Sequence, residues 1–559
     1  MKSINNSTIG TGKRNERFLS CLFHDFLIIW FCSCCVLCMY ILSGSFTFES
    51  GSGLLYSIRM ALYYSMIGAL MSFPIALLTS ILSRPARKVL FWIVFILGIT
   101  NVVLDIVVLE TTNEMFNQEH VTLILGSNLS EGFEFCEAYL SFNIIVKICL
   151  WVLACFLFLF LVNRLRSCRP CWLNALSAIV FGLLIVGVLG TNVLKNKSYE
   201  QVFVGKSLLF ADYQTPDDNL GAYRQKPELQ FMEDFVPVPK IVVIIGESLC
   251  ADHCSLYGYE KDTNPFLSVK PAGNMFIFRD VSAAETHTVD AFKEMMTTYR
   301  PSGNDGKAWF ESLTLFDVAK EAGYSTAWLS NQSKVGLADN VITQFAELTD
   351  YQGWAGVRAS SYYRKSLDEL LLPMVDSLLS QKPVEDPSLT FIHLFGSHTV
   401  YSERYPARFE HFSGSDYPEL LPAQRNVIAS YDNSVLYNDY IVSELIDKYR
   451  DKNSIVIYFS DHGQDLFQSA PDYCGHSKNS DPVSVSASMW VPFIVYVSDA
   501  AAESHSGLVD RLRETAERPY RLSELMYSIS YLMGIGTING KDISDGSVFS
   551  SLADTLIDG

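Results

Sequence analysis

IVIYFSDHGQDLF, Ile455 to Phe467, is an apolar run that stops abruptly at an acid and a histidine. β-Branched and aromatic residues without polar alternation predict a strand buried on both faces, and Asp461 and His462 then stand just past its carboxyl end. The same pattern recurs in KIVVIIGES (Lys240 to Ser248) and LTFIHLFGSH (Leu389 to His398), and further apolar runs are YSTAWLSNQ (Tyr324 to Gln332) and MWVPFIVYV (Met489 to Val497). Between them lie amphipathic stretches such as NVIASYDNSVLYNDYIVSELIDKY, residues 426–449. Short apolar strands separated by helices predict a mostly parallel sheet covered on both faces. Functional groups gather beyond the carboxyl ends of such strands. Three of these ends hand over a potential metal ligand: Glu247, His398, and the pair Asp461 and His462. One Asp-His pair is an ordinary turn, whereas three such endings in one domain point to a metal centre. Carboxylates together with imidazoles favour a zinc-like or manganese-like ion over calcium, which prefers oxygen alone.

The 559 residues are enough for two units. Of 42 basic and 60 acidic residues, 12 and 10 fall in residues 1–194, leaving 30 and 50 for the remainder. The front is apolar and nearly neutral and the back is acidic, which argues against a nucleic-acid backbone as partner. Five apolar segments, at roughly 20–43, 58–82, 88–109, 142–163 and 172–194, have the ~20-residue length of membrane spans. The first follows the basic stretch KRNER without a small-residue cleavage site and reads as a retained anchor. SRPARK (Ser83 to Lys88) and NRLRSCRP (Asn163 to Pro170) are basic, whereas residues 44–57 and 110–141 carry no Lys or Arg. The basic loops therefore face the cytoplasm, and an odd number of spans leaves residue 195 onward outside.

Residues 1–194 are thus expected to be an all-α transmembrane bundle, 195–238 a polar connector ending in VPVPK, and 239–559 the α/β/α domain. Ten of 13 cysteines precede residue 172, mostly in or beside spans, where they serve as small soft packing. Cys250, Cys254 and Cys474 remain in the large domain, an odd number that permits at most one disulfide there.

Several motifs in this order resemble the alkaline-phosphatase/sulfatase superfamily, and within it the membrane-anchored phosphoethanolamine transferases: GESLCADHCSLYGYEKDTNPFL (Gly246 to Leu267), AETHTVDAF (Ala284 to Phe292), GSHTVYSERYP (Gly396 to Pro406), YDNSVLYNDYI (Tyr431 to Ile441) and SDHGQDL (Ser460 to Leu466). The resemblance implies a sulfatase-like fold in which Glu247, Asp461 and His462 bind a catalytic zinc, with Thr288 as nucleophile and fourth ligand. Coordination lowers the pKa of a threonine hydroxyl that is otherwise a poor nucleophile. Thr286, Ser248 and Ser282 are competing hydroxyls. His398 and His476 match histidines near the transferred phosphate or a second metal, and either could protonate a leaving alkoxide. Ser330, Asn331 and Lys334 fall where the family contacts phosphate; His253, His287 and His393 have no family counterpart and are read as structural.

In the membrane half, Asp105 lies within the third span, where an ionisable group is either functional or neutralised by a partner. ETTNEMF (Glu110 to Phe116) loosely resembles a donor-lipid segment, making Thr111 and Glu114 candidates, and Lys147 reads as a snorkelling anchor. The implied reaction moves phosphoethanolamine from phosphatidylethanolamine to lipopolysaccharide, on lipid A or a core sugar, or to another envelope glycan, in two displacements through phospho-threonine. The implied location is the bacterial inner membrane with the catalytic domain in the periplasm. AETHTVDAFKEMM lacks the cysteines that flank the nucleophile in lipid A-modifying members, which leaves an inner-core sugar or another glycan open as acceptor. Rivals are a phosphoglycerol transferase, a non-catalytic membrane scaffold and a sulfatase; the last needs C/S-x-P-x-R, and CRPCW at Cys168 lacks the Arg.

Overall fold

The computed structural model describes residues 5–43, 54–112, 116, 120–121, 124, 136, 140–165, 206, 220–271, 273–303, 308–332, 341–355, 366–381, 386–471, 473–476 and 482–550. The expected fifth span and most of the connector lie outside the described residues, as do Glu114 and Lys334. The chain forms two compact units, Met1–Ile124 with Ala138–Gln214, and Leu125–Glu137 with Thr215–Gly559.

The first unit contains α1 (Asn5–Ser43), α2 (Leu54–Ile81), α3 (Arg84–Thr112) and α4 (Phe142–Leu165). Among the described residues, four helical segments are long and apolar enough to cross a membrane: Phe18–Ile41, Leu54–Ile81, Arg84–Thr111 and Phe142–Arg164. Their cysteines pack as expected, with Cys32 and Cys34 buried among apolar side chains. A Cβ on Gly68 of α2 would come within 2.8 Å of Cys34 Sγ, so this glycine permits the close approach of α1 and α2.

Buried polar groups hold these helices together, because hydrocarbon offers them no alternative partner. Asp25 of α1 is fully buried; Arg87 of α3 grips it with Nη2 on Oδ1 at 2.7 Å and Nε on Oδ2 at 3.0 Å. Thr79 of α2 donates to Oδ2 at 2.8 Å, and His24 spans from Asp25 at 2.7 Å to Asn163 of α4 at 2.8 Å. One node thus joins all four described helices at the end that carries the basic loops. Asp105 is neutralised by buried Lys206, which also donates to Asn101 at 3.2 Å. Lys147 is paired too: Glu110 of α3 receives both Lys147 and the Tyr40 hydroxyl.

The second unit is built on a seven-stranded sheet of β1 (Lys240–Gly246), β2 (Met275–Phe278), β3 (Ser325–Ser330), β4 (Tyr351–Trp354), β5 (Ser388–His393), β6 (Ser454–Ser460) and β7 (Phe493–Val497), ordered β2-β7-β6-β1-β5-β3-β4. The sheet expected to be mostly parallel is mixed, because the strand from MWVPFIVYV runs against its neighbours. β6-β1-β5-β3-β4 form a parallel block, whereas β7 runs antiparallel to both β6 and β2. Both faces are covered, so inner strands carry no polar alternation. Ile241, Val243 and Ile245 of β1 face a core shared with α5 (Thr288–Met296), and Val242 and Ile244 face one shared with α6 (Leu371–Gln381) and α7 (Pro422–Tyr449). The closing α8 (Leu525–Leu532) packs on the α5 side.

Breaking the Asp25 node tests the bundle. Arg87→Met strands a buried carboxylate and is expected to cost about 3 kcal/mol, read as a lower unfolding temperature of the full chain in detergent. The double variant Asp25→Asn/Arg87→Met leaves no unpaired charge and should recover most of that loss; a double variant no better than Arg87→Met would refute the pairing.

Candidate active site

Strand register creates the site. β1 and β6 pair in parallel with Gly246 opposite Ser460, so Glu247 and Asp461 leave adjacent strands side by side, with His462 next in chain. Ser248 turns the chain sharply at φ +57°, a left-handed conformation that costs a non-glycine residue about 1–2 kcal/mol. The loop after β5 closes on the same point: Ser397 N donates to Glu247 O at 2.9 Å. Gly396, at φ +57°, lies so near that a Cβ would stand 2.6 Å from Glu247 N, so glycine is required there. Buried Asp368 fixes this loop, accepting Phe395 N at 2.7 Å, Gly396 N at 3.0 Å and Asn331 Nδ2 at 2.8 Å.

From the side of the sheet, α5 presents Thr288 as its first residue. Ala291, Phe292, Met295 and Met296 form the buried face that lays this helix on the sheet. Thr288 Oγ1 lies 3.3 Å from each oxygen of Glu247 and 3.2 Å from His462 Nε2. Each competing hydroxyl has its own partner, and among these described hydroxyls only Thr288 meets both Glu247 and His462. Ser248 Oγ donates to Glu247 Oε1 at 2.8 Å from a fully buried position, Thr286 Oγ1 pairs with His287 Nδ1 at 2.9 Å, and Ser282 Oγ donates to Ala283 O at 3.3 Å.

Ligand atoms of Glu247, Asp461 and His462 lie within 4.8 Å of one another, and all three side chains are buried. The electrostatics of this cluster fit a divalent cation. Burial pushes the Glu247 carboxyl up, but the hydrogen bond and charge of His462 outweigh it and hold it below the usual range. Burial and the Glu247 charge push Asp461 up to about 7. Burial pulls His462 down, but the charge of Asp461 and the bond to Glu247 prevail and raise it to about 9. Two buried carboxylates thus share one imidazolium, and Asp461 Oδ2 has no hydrogen-bond partner. A cation ligated by Asp461, Glu247 and neutral His462 would satisfy that oxygen. His462 is aimed for this, since Nδ1 lies 2.8 Å from Gly463 O; donation there leaves Nε2 for the cluster.

The structure brings some further candidates to this centre. The His476 ring centre lies 4.4 Å from that of His462 in a tilted arrangement and 4.6 Å from that of His287 edge-on, and burial, followed by the His462 charge, depresses its pKa strongly. His398 is half-buried in the loop after β5, with Nδ1 at 2.7 Å from Thr399 O. Ser330, the last residue of β3, is fully buried and accepts Gln332 N at 3.1 Å. The Asn331 amide is committed to Asp368 and to Ser366 O at 3.2 Å. Thr111 belongs to the other unit, where its hydroxyl donates to Val107 O at 2.8 Å.

Sequence reasoning missed Gln332, whose Nε2 donates to Glu247 Oε2 and to Leu394 O, each at 3.2 Å. It also missed what the acids in YDNSVLYNDYI do. Asp432 and Asp439 stand two turns apart on α7 and fasten the segment after Glu247. Asp439 accepts Phe266 N at 2.7 Å, and Asp432 accepts His253 Nδ1 at 2.6 Å and the hydroxyls of Tyr259 and Tyr417. Their seven-residue spacing on a predicted helix was the available signal. His253 is structural, as expected. His393 is fully buried against Phe292 and Trp328, and burial brings its pKa down to about 4.

A family model described as Sulfatase matches residues 239–535. Phosphoethanolamine transferase EptC of Escherichia coli O18:K1:H7 is 25% identical over 449 residues, 75% of either chain. The crystal structure of the C-terminal periplasmic domain of EcEptC from Escherichia coli in complex with zinc is 26% identical with a TM-score of 0.52, covering 58% of this chain and 90% of that one. Kdo(2)-lipid A phosphoethanolamine 7''-transferase of Salmonella typhimurium is 29% identical over 309 residues, 54% of this chain and 52% of that one. The integral membrane lipooligosaccharide phosphoethanolamine transferase A of Neisseria meningitidis shares the fold over 94% of this chain and 97% of that one, with a TM-score of 0.64 at 18% identity.

The His253 pair yields a pH prediction. Burial lowers the His253 pKa, but the hydrogen bond and charge of Asp432, with Asp252 adding to them, raise it overall. The resulting stabilisation is fully present below the unfolded value of ~6.5 and is lost as pH rises through the higher folded value. His253→Gln should therefore cost about 2 kcal/mol in acid and progressively less in alkali. Thermal melts of both proteins with excess zinc across that range check this; a gap that does not narrow would refute the charged pair.

Proposed function

The chain belongs to the sulfatase family, and from that premise we propose that it transfers phosphoethanolamine from phosphatidylethanolamine to an envelope glycolipid through a phospho-threonine at Thr288. The observation that carries this reading is the Thr288 hydroxyl within 3.3 Å of both Glu247 and His462 at the first turn of α5. Glu247, Asp461, His462 and Thr288 would hold zinc, with manganese as the alternative fit; the bound ion supplies positive charge that favours an alkoxide and offsets phosphate charge.

The chain's own residues do the rest. Thr288 Oγ1 attacks phosphorus, forming a P–O bond while the bond to diacylglycerol breaks, and the positive N-terminal end of the α5 dipole favours the negative charge gathering there. Donation from His398 Nδ1 to the Thr399 carbonyl leaves Nε2 as the atom that exchanges a proton, so the protonated ring can give one to the departing diacylglycerol alkoxide. In the second half, the acceptor hydroxyl attacks the phosphodiester, its proton passes to His398 Nε2, and Thr288 is released. His476, kept neutral beside His462, lines the same centre and is the alternative proton carrier. Ser330, Asn331 and Lys334 are assigned to the phosphate side, the first two as supports beneath the surface, and Thr111 and Glu114 to the donor lipid.

Four membrane-length helices among the described residues fit a lipid-borne donor, and the loop charges, together with the fifth apolar segment read from the sequence at 172–194, support a catalytic unit in the periplasm of an inner-membrane protein. The Salmonella relative is named for Kdo(2)-lipid A, a glycolipid; the acceptor class proposed here is an envelope glycolipid, at lipid A, a core sugar or another glycan. The full chain in detergent, given head-group-labelled phosphatidylethanolamine, should release diacylglycerol and carry a phosphoethanolamine adduct on Thr288 by mass spectrometry. Thr288→Ala should lose the adduct and about a thousandfold or more in rate. Label from phosphatidylglycerol instead would make the protein a phosphoglycerol transferase, and silence with both donors a scaffold.

A further inference from the structure

We infer that Gln332 is a positioning residue that holds the Glu247 carboxylate in its metal-binding orientation, an inference that rests on the metal site proposed above. Gln332 follows β3, two places from β1 in the sheet, with β5 between them. Its side chain bridges that gap, and Nε2 bonds both Leu394 O, just past β5, and Glu247 Oε2, just past β1. Both partners are acceptors, one a carbonyl and the other an ionised carboxylate, so the terminal atom facing them is the amide nitrogen. The residue's own backbone is tied down by donation from Gln332 N to Ser330 Oγ at 3.1 Å.

The two oxygens of Glu247 therefore have different protein partners. Oε1 receives Ser248 Oγ at 2.8 Å and meets His462 Nε2 at 3.2 Å; Oε2 receives Gln332. Together these donors define the plane of the carboxylate. Thr288 Oγ1, 3.3 Å from each oxygen, is positioned against that plane. A neutral amide suits the task, because it orients the carboxylate without bringing a positive charge that would compete with a cation. Groups that orient a ligating carboxylate in this way are typically worth about 10- to 100-fold in metal affinity.

The test uses Gln332→Met, similar in length and shape but with no donor, in the full chain in detergent. Zinc affinity is measured by competition with a chelator, beside the melting temperature of the metal-free protein. The expected result is a zinc affinity about 10- to 100-fold weaker, a near wild-type metal-free melting temperature, and transfer activity that falls at limiting zinc and recovers with excess. Recovery with metal separates positioning from packing. If Gln332→Met does not fold, Gln332→Asn, which keeps the amide but is too short to span, gives the same reading. Zinc affinity within about twofold of wild type in a folded variant overturns the inference while leaving the metal site standing. Wild-type protein that takes up no zinc overturns both.

Discussion

Everything in the outer unit depends on the parallel pairing of β1 with β6 in the register that sets Gly246 against Ser460. Because side chains alternate along a strand, a slip of one residue would turn every core residue to the opposite face and carry Glu247 away from Asp461. The buried alternation of Ile241, Val243 and Ile245 against Val242 and Ile244 holds that register. Hydrophobic packing of the sheet thereby decides which charges meet beyond its edge.

The same pairing creates an electrostatic problem. Two carboxylates buried side by side repel each other and lose hydration, and a lone imidazolium offsets only one of them. The upward displacement of Asp461 and its oxygen left without a hydrogen bond are two signs of that deficit. A soft collar would relax and separate the charges. Instead the collar is stiff: Asp368 pins the loop containing Gly396, Asp439 and Asp432 pin the segment after Ser248, and Gln332 reaches across β5. The contacts of Asp368 and Asp439 end on backbone amides, so they fix the path of the chain as well as side-chain orientation.

The membrane unit uses the same physics for a different purpose. Asp25 with Arg87, and Asp105 with Lys206, are carboxylate–cation pairs fully or partly buried among apolar helices. Each links segments distant in sequence, where apolar surfaces alone would leave helix rotation poorly specified. Thr288 and Glu247 stand in the opposite situation, since their cluster invites a cation that the chain itself does not supply.

The sequence by itself determined the layout: apolar length marked the four described spans, uninterrupted β-rich runs marked five strands of the sheet, and strand ends singled out Glu247, Asp461 and His462. These were legible because hydropathy and periodicity are local properties. The direction of β7 was not legible, because strand direction depends on which edge a chain rejoins. Nor was Gln332, whose significance lies in reaching a carboxylate 85 positions earlier in the chain. The partners of Asp25, Asp105 and Lys147, and the roles of Asp432 and Asp439, were hidden for the same reason. An ionisable side chain declares its charge in the sequence, but its partner, and therefore whether it is catalytic, ligating or structural, is decided only by what tertiary packing places within hydrogen-bond reach.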